Sequence, residues 1–293
     1  MKAPDLRGKL VDARRRLDRA RHDVEARVAK ALGTFGPAEV VDTLRHLGVA
    51  AGDTIMVHVG FEPQHGFTGT PVELAQAFCD AVGPDGTVVM LTMPYQGISS
   101  HAYLQQGKPY DVRRSVSRVG IVTEVFRRRK DVVRSLHPTH PVAAWGAQQA
   151  EMARLSADPA PFGPDSPFGR LVRLGGKVVL YDVPFKRMTF EHYLEDHVQA
   201  VLPVPLYRPA VDVEVIDRDK SRHTVRVQTL TAEVNARRNS KALEKALRSE
   251  GLLREARLSL ARVTVADARA MQATVDARVA RGWRFHRAWA LPR

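Results

Sequence analysis

The stretch that decides the fold is TIMVHVGFEPQHGFTGTPVELAQAFCDAVGPDGTVVMLTM, which covers residues 54–93. Short apolar runs lie at its two ends, over residues 54–59 and 87–93, and residues 71–81 between them have helical character. Continuous apolar runs of this length, joined through a helix, are typical of parallel strands that are buried on both faces of a sheet. The stretch therefore predicts an α/β fold, and it places the single cysteine, Cys79, in the core.

The alternation of strands and helices continues outward from this stretch. The pattern predicts helices at 37–47, 120–129, 167–174 and 190–200, and strands at 142–145 and 177–183. The other predicted elements are a hairpin over 211–217 and 222–229 and helices near 232–249 and 266–280. Since no repeat or low-complexity linker interrupts this pattern, we expect one domain over residues 34–293, basic and mostly helical from residue 239 onward.

Residues 1–33 form a separate basic segment with its own pattern. Leu10, Leu17 and Val24 are seven residues apart, and arginines cover the opposite face of the predicted helix. We interpret the segment as a helical arm that packs on the domain or pairs two copies into a homodimer. Nucleic-acid binding is the less favoured alternative, because no aromatic residue lies among the arginines to stack on a base.

The net charge of +13 belongs to the two ends of the 293-residue chain. Residues 1–30 contain ten basic and five acidic residues, and residues 240–293 contain twelve and five, which leaves a net charge of +1 for the middle. Basic ends attract phosphates and acidic proteins through long-range Coulomb forces. They do not define the chemistry of a nearly neutral middle.

Cysteine content and hydropathy predict a cytoplasmic protein. A lone cysteine excludes a disulfide framework and argues against a structural zinc site, so we expect no metal. No window approaches the roughly 18 apolar residues of a membrane span, and the N-terminal sequence MKAPDLRGKLVDARRR lacks the apolar region of a signal peptide.

Two histidines lie between prolines in the sequence Ser135-Leu136-His137-Pro138-Thr139-His140-Pro141. Each proline restricts the residue before it, so this loop would hold both imidazoles in fixed directions, as a functional site requires. On composition alone we favour the alternative, a structural turn in which each ring caps a backbone group.

A second loop, residues 162–167, ends at a predicted helix start. Ser166 is a plausible helix cap there, and Asp165 precedes it. The free amides of such a helix start hold phosphates or carboxylates in other proteins. Helix capping is the simpler interpretation.

His192 and Glu195 form the pair with the most obvious chemistry. They are three residues apart on a predicted helix, so the carboxylate can orient the imidazole or favour its charged form. A positioned histidine is the usual general base for an attacking amine or hydroxyl, and the pair follows a strand, where α/β sites gather. The alternative is a surface ion pair.

Familiar hydrolase, nucleotide and dinucleotide motifs are missing from the sequence. It contains no Gly-x-Ser-x-Gly elbow, Walker loop, Gly-x-Gly-x-x-Gly after a strand or His-Glu-x-x-His. Those function classes therefore lose most of their support.

Seven blocks of sequence stand in order between residues 37 and 200. They are residues 47–58, 82–90, 117–120, 134–140, 162–167 and 175–178, and Thr189 with His192 and Glu195. In their order and approximate spacing, these blocks resemble the aminoglycoside 3-N-acetyltransferase family.

The resemblance implies a single α/β/α layered domain that moves an acetyl group from acetyl-CoA or another acyl-CoA to an amine. His192 matches the family's catalytic histidine, which would deprotonate the amine, and Glu195 matches the acid one turn later. The candidate donor contacts are His58, Val59, Gly60, Ser117, Arg118 and Ser166. The candidates for the loop beside the substrate are His137, His140 and Asp165.

This sequence departs from the family at two places. The family usually has one or two serines after the strand, where this sequence has Val59, Gly60, Phe61 and Glu62, and this implies a changed donor contact. Residues 227–231, after the late strand, contain no carboxylate where the family has an acidic stretch. Because the family-like region is also nearly neutral, we expect an acceptor amine other than a typical aminoglycoside.

Two alternatives to an acyl-CoA-dependent N-acyltransferase remain open. The basic ends suit an acidic carrier protein with a phosphopantetheine arm as the acyl donor. The missing serines and the missing late acid suit a non-catalytic scaffold that kept the fold and lost donor binding.

Overall fold

The computed structural model describes residues 6–288, and the side chains of residues 11–288. The helices are α1 Leu6–Leu32, α2 Pro37–His46, α3 Pro71–Val82, α4 Ser100–Leu104, α5 Ile121–Arg127, α6 Gln149–Ala153, α7 Pro167–Arg173, α8 Phe190–His197, α9 Ala232–Arg237, α10 Ser240–Ser249 and α11 Ala268–Ala280. The strands are β1 Thr54–Val59, β2 Thr87–Leu91, β3 Tyr110–Asp111, β4 Val133–Arg134, β5 Val142–Gly146, β6 Lys177–Tyr181, β7 Val211–Ile216, β8 Arg222–Val227, β9 Arg254–Leu258 and β10 Ala261–Asp267.

A central mixed sheet organises the described residues, with the strand order β4-β5-β2-β1-β6-β10-β9. The predicted parallel arrangement holds for β2, β1 and β6, whereas β5 pairs antiparallel with β2, and β10 pairs antiparallel with β6. Apolar runs report burial on both faces and not chain direction, so the sequence did not distinguish β5 from the parallel strands.

Helices cover both faces of the sheet, which confirms the α/β class. Met56, Val178 and Leu180 belong to the core on one face, and Ile55 and Val57 belong to the core on the other. The local sequence before α3 explains where this helix begins.

Pro71 starts α3, and Thr70 caps it by accepting a hydrogen bond from the Glu73 amide while the Glu73 carboxylate accepts one from Thr70. Cys79 is buried on this helix as expected, and burial raises the pKa of its thiol to about 12.

The predicted hairpin is present as β7 and β8, and with β3 it forms a separate three-stranded sheet. The C-terminal part differs from the mostly helical expectation. It contains the hairpin β9–β10, and β10 lies beside β6 in the central sheet. Three of the five residues of β9 are charged, so the strand has no apolar run to mark it in the sequence, and residues 266–267, predicted helical, end β10.

The arm is the long helix α1, and the C-terminal end of this helix packs on the domain. Ala29 is buried there, and the Ser259 hydroxyl donates to its carbonyl. Leu17 and Val24 of the seven-residue pattern are 71% and 59% exposed. The Leu10 side chain, residues 1–5 and residues 289–293 of the two basic ends lie outside what the structure describes. Within residues 6–288, no helix combines the length and apolar character that crossing a bilayer requires.

Candidate active site

Helix α8 brings His192 and Glu195 together as their spacing predicts. The His192 Nδ1 atom lies 2.9 Å from Glu195 Oε2. The segment before α8 is anchored to the sheet, because the amide of Thr189 donates to Nε2 of His58 on β1 over 2.9 Å. The sheet therefore fixes the position at which α8 presents its histidine.

Glu195 is fully buried, and each of its two carboxylate oxygens accepts two hydrogen bonds, which makes four in all. Arg238 donates from Nε to Oε1 over 2.6 Å and from Nη2 to Oε2 over 2.7 Å. The His286 Nε2 atom lies 2.6 Å from Oε1, and His192 takes the remaining position on Oε2. A carboxylate offers about four acceptor positions, so Glu195 has none left.

The charge on Glu195 decides which nitrogen of His192 carries the proton. Burial by itself would raise the pKa of Glu195, but the Arg238 charge and the hydrogen bonds from both histidines outweigh burial and hold it well below the ordinary range. An ionised carboxylate only accepts hydrogen bonds, so Nδ1 of His192 is assigned as the donor. The lone pair of the neutral ring is then on Nε2.

The free nitrogen of His192 is accessible. Nε2 has no hydrogen-bond partner among residues 6–288, and the side chain is 21% exposed. Its ring packs against Phe162 with a centroid distance of 4.9 Å. Burial and the nearby Arg238 charge lower the pKa of His192 against the opposing effect of Glu195. The arrangement supplies a neutral imidazole that can accept a proton near neutral pH.

A cavity of about 600 Å³ opens where β1, β2 and β6 end. His58, Val59, Gly60 and Arg118, four of the candidate donor contacts, line it. Ligand sites of α/β sheets lie at this edge. Thr189 also lines the cavity, and His192 follows it by one turn of chain without lining the cavity itself.

The charged side chains of this cavity are of both signs. Arg118 and Arg187 line it, and neither side chain makes a hydrogen bond or ion pair within the described part of the chain. The acidic lining residues are Glu62 and Asp182, and the Asp182 carboxylate is held by Nδ1 of His65 over 2.8 Å. Two unpaired arginines provide the charge that a phosphate-bearing ligand needs.

His58 and Gly60 line the cavity, but His58 Nε2 and the Gly60 amide are already hydrogen-bonded within the protein. The imidazole of His58 receives the Thr189 amide, and burial lowers its pKa to about 4, so the ring is neutral. The Gly60 amide donates to Tyr181, and a Cβ at Gly60 would lie 2.5 Å from the carbonyl oxygen of Asp182. Only glycine fits at this closely packed position.

Ser117, Ser166 and Asp165 are among the candidate residues that lie outside the cavity lining. The buried Ser117 hydroxyl lies 2.7 Å from the Thr123 hydroxyl beneath the loop that Arg118 begins. Ser166 caps α7 through the Gly169 amide, and Asp165 pairs with Arg154 at 2.8 Å. Helix capping therefore accounts for Ser166 and ion pairing accounts for Asp165, and we propose neither residue as a ligand contact.

The proline-bounded loop reaches the site, and of its two rings only His137 caps backbone groups as we favoured. His137 Nδ1 accepts hydrogen bonds from the amides of Thr139 and His140, and burial lowers its pKa to about 4. His140 lies 3.2 Å from the hydroxyl of the cavity-lining Tyr95. Its ring also contacts Phe162, which places His140 and His192 against the same aromatic side chain.

Sequence reasoning missed Arg238 and His286, the two residues that hold Glu195. Arg238 lies just before the basic C-terminal region and His286 lies within it, and no motif or spacing separates either from the neighbouring basic residues. Residues 227–231 lack a carboxylate as expected, and the partners that assist the pair come from the segments that follow. Among residues 6–288, no cluster of three or more metal-ligating side chains is arranged to hold an ion.

Comparisons with known proteins agree on one family. A family model described as aminoglycoside 3-N-acetyltransferase matches residues 56–280. The aminoglycoside N(3)-acetyltransferase III of Pseudomonas aeruginosa is 30% identical over 170 residues, which are 54% of this chain. These residues span 62% of that relative, less than two thirds of its length.

Solved structures share the fold over most of the chain. A variant of aminoglycoside acetyltransferase AAC(3)-IVa in complex with a gentamicin is 26% identical, with a TM-score of 0.68 over 85% of this chain and 89% of that one. AAC-IIIb, solved as a binary complex with CoASH, is 21% identical and has a TM-score of 0.68 over 89% of this chain and 100% of that one. The latter likeness is one of fold.

Proposed function

Since the chain belongs to the aminoglycoside 3-N-acetyltransferase family, we propose that it transfers an acetyl group from acetyl-CoA to an amine of a small molecule, with His192 as the general base. The observation that carries this proposal is the contact of His192 Nδ1 with a saturated Glu195 carboxylate, which leaves Nε2 as the free proton acceptor. A histidine held in this way suits amine attack on a thioester.

The proposed reaction proceeds by direct transfer. The neutral amine attacks the thioester carbonyl while Nε2 of His192 takes one of its protons, and a tetrahedral oxyanion forms. When this intermediate collapses, the C–S bond breaks, the amide remains on the acceptor, and the CoA sulfur leaves as a thiolate that takes up the proton released by the His192 imidazolium. Glu195 stays ionised and stabilises the imidazolium that forms.

We propose that the donor lies in the cavity at the strand ends. The cavity has the two unpaired arginines, Arg118 and Arg187, and Gly60 packs closely against the backbone of Asp182 in its wall. AAC-IIIb, which shares this fold, has been solved with CoASH. An acidic carrier protein with a phosphopantetheine arm is the alternative donor, since it would present the same thioester and a phosphate.

Replacing Arg118 and Arg187 tests the donor site. We expect each Arg→Met change to weaken CoA binding about tenfold, because each removes one charge-assisted contact to a phosphate. Isothermal titration with CoA and with a purified acyl carrier measures this loss and separates the two donors. The control is Arg114→Met, an exposed arginine outside the cavity. Equal CoA affinity in all three variants would contradict this placement of the donor.

We propose an acceptor with fewer positive charges than a typical aminoglycoside. The cavity charges balance, and the carboxylate beside His192 has no free oxygen to bind an ammonium group. A polycation gains affinity from unpaired carboxylates, and this site offers few. The acceptor amine would therefore be recognised mainly through neutral contacts.

An acetyl-transfer assay tests the function itself. The purified protein is mixed with acetyl-CoA and with gentamicin or simple amines, and thiol release and the acetylated product are measured. Product formation with any amine supports the proposal, and a preference for simple amines supports the acceptor class. Failure to bind CoA, together with a stable complex with another enzyme, would support the scaffold alternative.

We also propose that the exposed apolar stripe of α1 pairs two copies of the chain. Leu17 and Val24 are largely exposed, although they repeat at the spacing of a helix–helix seam. Leu17→Glu should lower the mass measured by light scattering, whereas Val72→Glu, at a 56% exposed position on α3, should leave it unchanged. A monomeric parent protein would contradict this role of the arm.

A further inference from the structure

The C-terminal segment is built into the site through Arg238 and His286. Arg238 follows α9, and it pairs with His286 in an isolated antiparallel bridge. The amide of Asn239 donates to Phe285, and the amide of Arg287 donates to Arg237, so the two segments are held side by side. This pairing directs both side chains at one carboxylate.

The contacts of Glu195 are more extensive than a lone His–Glu pair requires. Arg238 grips it with two parallel hydrogen bonds and is itself fixed by the Asn235 side chain at 2.7 Å. His286 is buried and occupies the last acceptor position. Such a fork holds a carboxylate in one plane, which a single hydrogen bond does not do.

We propose that Arg238 and His286 are positioning residues for the reaction: by holding Glu195, they fix the ring of His192 with its proton on Nδ1 and its lone pair on Nε2. The role of the lone pair as proton acceptor rests on the proposed function, whereas the position of the proton does not. Residues 227–231 supply no carboxylate to the pair, and the groups that contact Glu195 come from residues 238 and 286 instead.

The Arg238 charge also balances Glu195, so His192 faces a nearly neutral pair. Without that charge the carboxylate would favour an imidazolium, and the His192–Glu195 pair would take up a proton at higher pH. The other titratable groups around the pair are His58 on β1, His140 in the loop before β5, Glu191 on α8, Tyr207 in the segment before β7, and His286.

These neighbours define the background of the measurement. Burial holds the pKa values of His58 and His140 low enough to keep both rings neutral near pH 7. Burial and the Glu195 charge raise the pKa of Glu191 to about 7, so its titration overlaps the range of interest. A Glu191→Gln background removes that overlap.

Nitrogen-15 NMR of the histidine rings tests the proposal without any substrate. In Arg238→Met we expect the His192 midpoint to rise by about 1 pH unit or more, both alone and in the Glu191→Gln background. Arg238→Lys keeps the charge and loses the fork, so the midpoint should stay closer to the parent value while kcat falls. The matched control is Arg248→Met, which removes a similar two-bond grip on Glu255 between α10 and β9.

His286 supplies an independent variant in case Arg238→Met does not fold. His286→Phe removes the donor to Glu195, so we expect the neutral His192 ring to show a mixture of its two tautomers. His286→Gln keeps a donor and should restore the single Nδ1–H form. The same ring signals in His286→Phe as in the parent, or an unchanged midpoint in a folded Arg238→Met, would overturn the proposal. Shifted signals without acetyl transfer would instead count against the proposed function alone.

Discussion

His192→Ala is expected to lower kcat by about 10²–10⁴-fold while CoA affinity stays close to that of the parent. The loss of turnover is expected because Nε2 of His192 carries the accessible lone pair, while Nδ1 is engaged with Glu195. The CoA affinity should stay the same because His192 does not line the cavity that would hold the donor. Steady-state kinetics and CoA titration measure the two effects separately.

The pH profile gives the same prediction a second readout. Because burial and the Arg238 charge lower the pKa of His192 from its ordinary value of 6.5, kcat/KM of the parent should rise with pH to a plateau reached below that of an exposed histidine. His192→Ala should lose this rise. The control His197→Ala replaces a more exposed histidine of the same helix, which pairs with Asp276.

The competing base would be His140, which contacts the same phenylalanine. Parent-like turnover in His192→Ala, together with loss of the pH dependence in His140→Ala, would transfer the role to the proline-bounded loop. We expect His140→Ala instead to lower the free energy of unfolding first, since its ring bonds to Tyr95 and Thr139 inside the core.

Glu195→Gln is expected to cost about 3–5 kcal/mol of the free energy of unfolding, the usual result of breaking a buried ion pair. The amide offers one oxygen to three donor side chains, and it leaves the charge of Arg238 without a partner in a buried site. Urea unfolding followed by circular dichroism measures the loss.

The control is Glu255→Gln, which breaks a partly exposed pair with Arg248 and should cost about 1 kcal/mol or less. Equal losses in the two variants would contradict the importance that we give to the Glu195 contacts.

This stability difference should depend on pH in one direction. The pKa of Glu195 is lower in the folded protein than its ordinary value of 4.5, so the folded state binds fewer protons there. Its ionic contribution is complete above pH 4.5 and declines as the pH falls toward the folded pKa. The parent and Glu195→Gln should therefore approach each other in stability in acid.

Local features of the site could be predicted from the sequence, since they depend on near neighbours. A spacing of three residues on one helix set the His192–Glu195 contact, and the capping residue Ser166 next to Pro167 set the start of α7. The strands β1, β2 and β6 were predictable because each is a buried apolar run. The partner strand β5 was also predicted, but its antiparallel direction was not, since burial carries no information on direction, and β10 was not predicted as a strand.

The order of sequence blocks thus determined the family, the α/β class and the histidine at the centre of the proposed reaction. Only the tertiary structure decided what surrounds Glu195, because Arg238 and His286 lie 43 and 91 residues away along the chain. No periodicity connects positions so far apart. The hairpin β9–β10 and the pairing of the C-terminal segment with residues 237–239 bring them together. The buried carboxylate of Glu195 requires such hydrogen-bond donors because an unpaired buried charge would destabilise the fold.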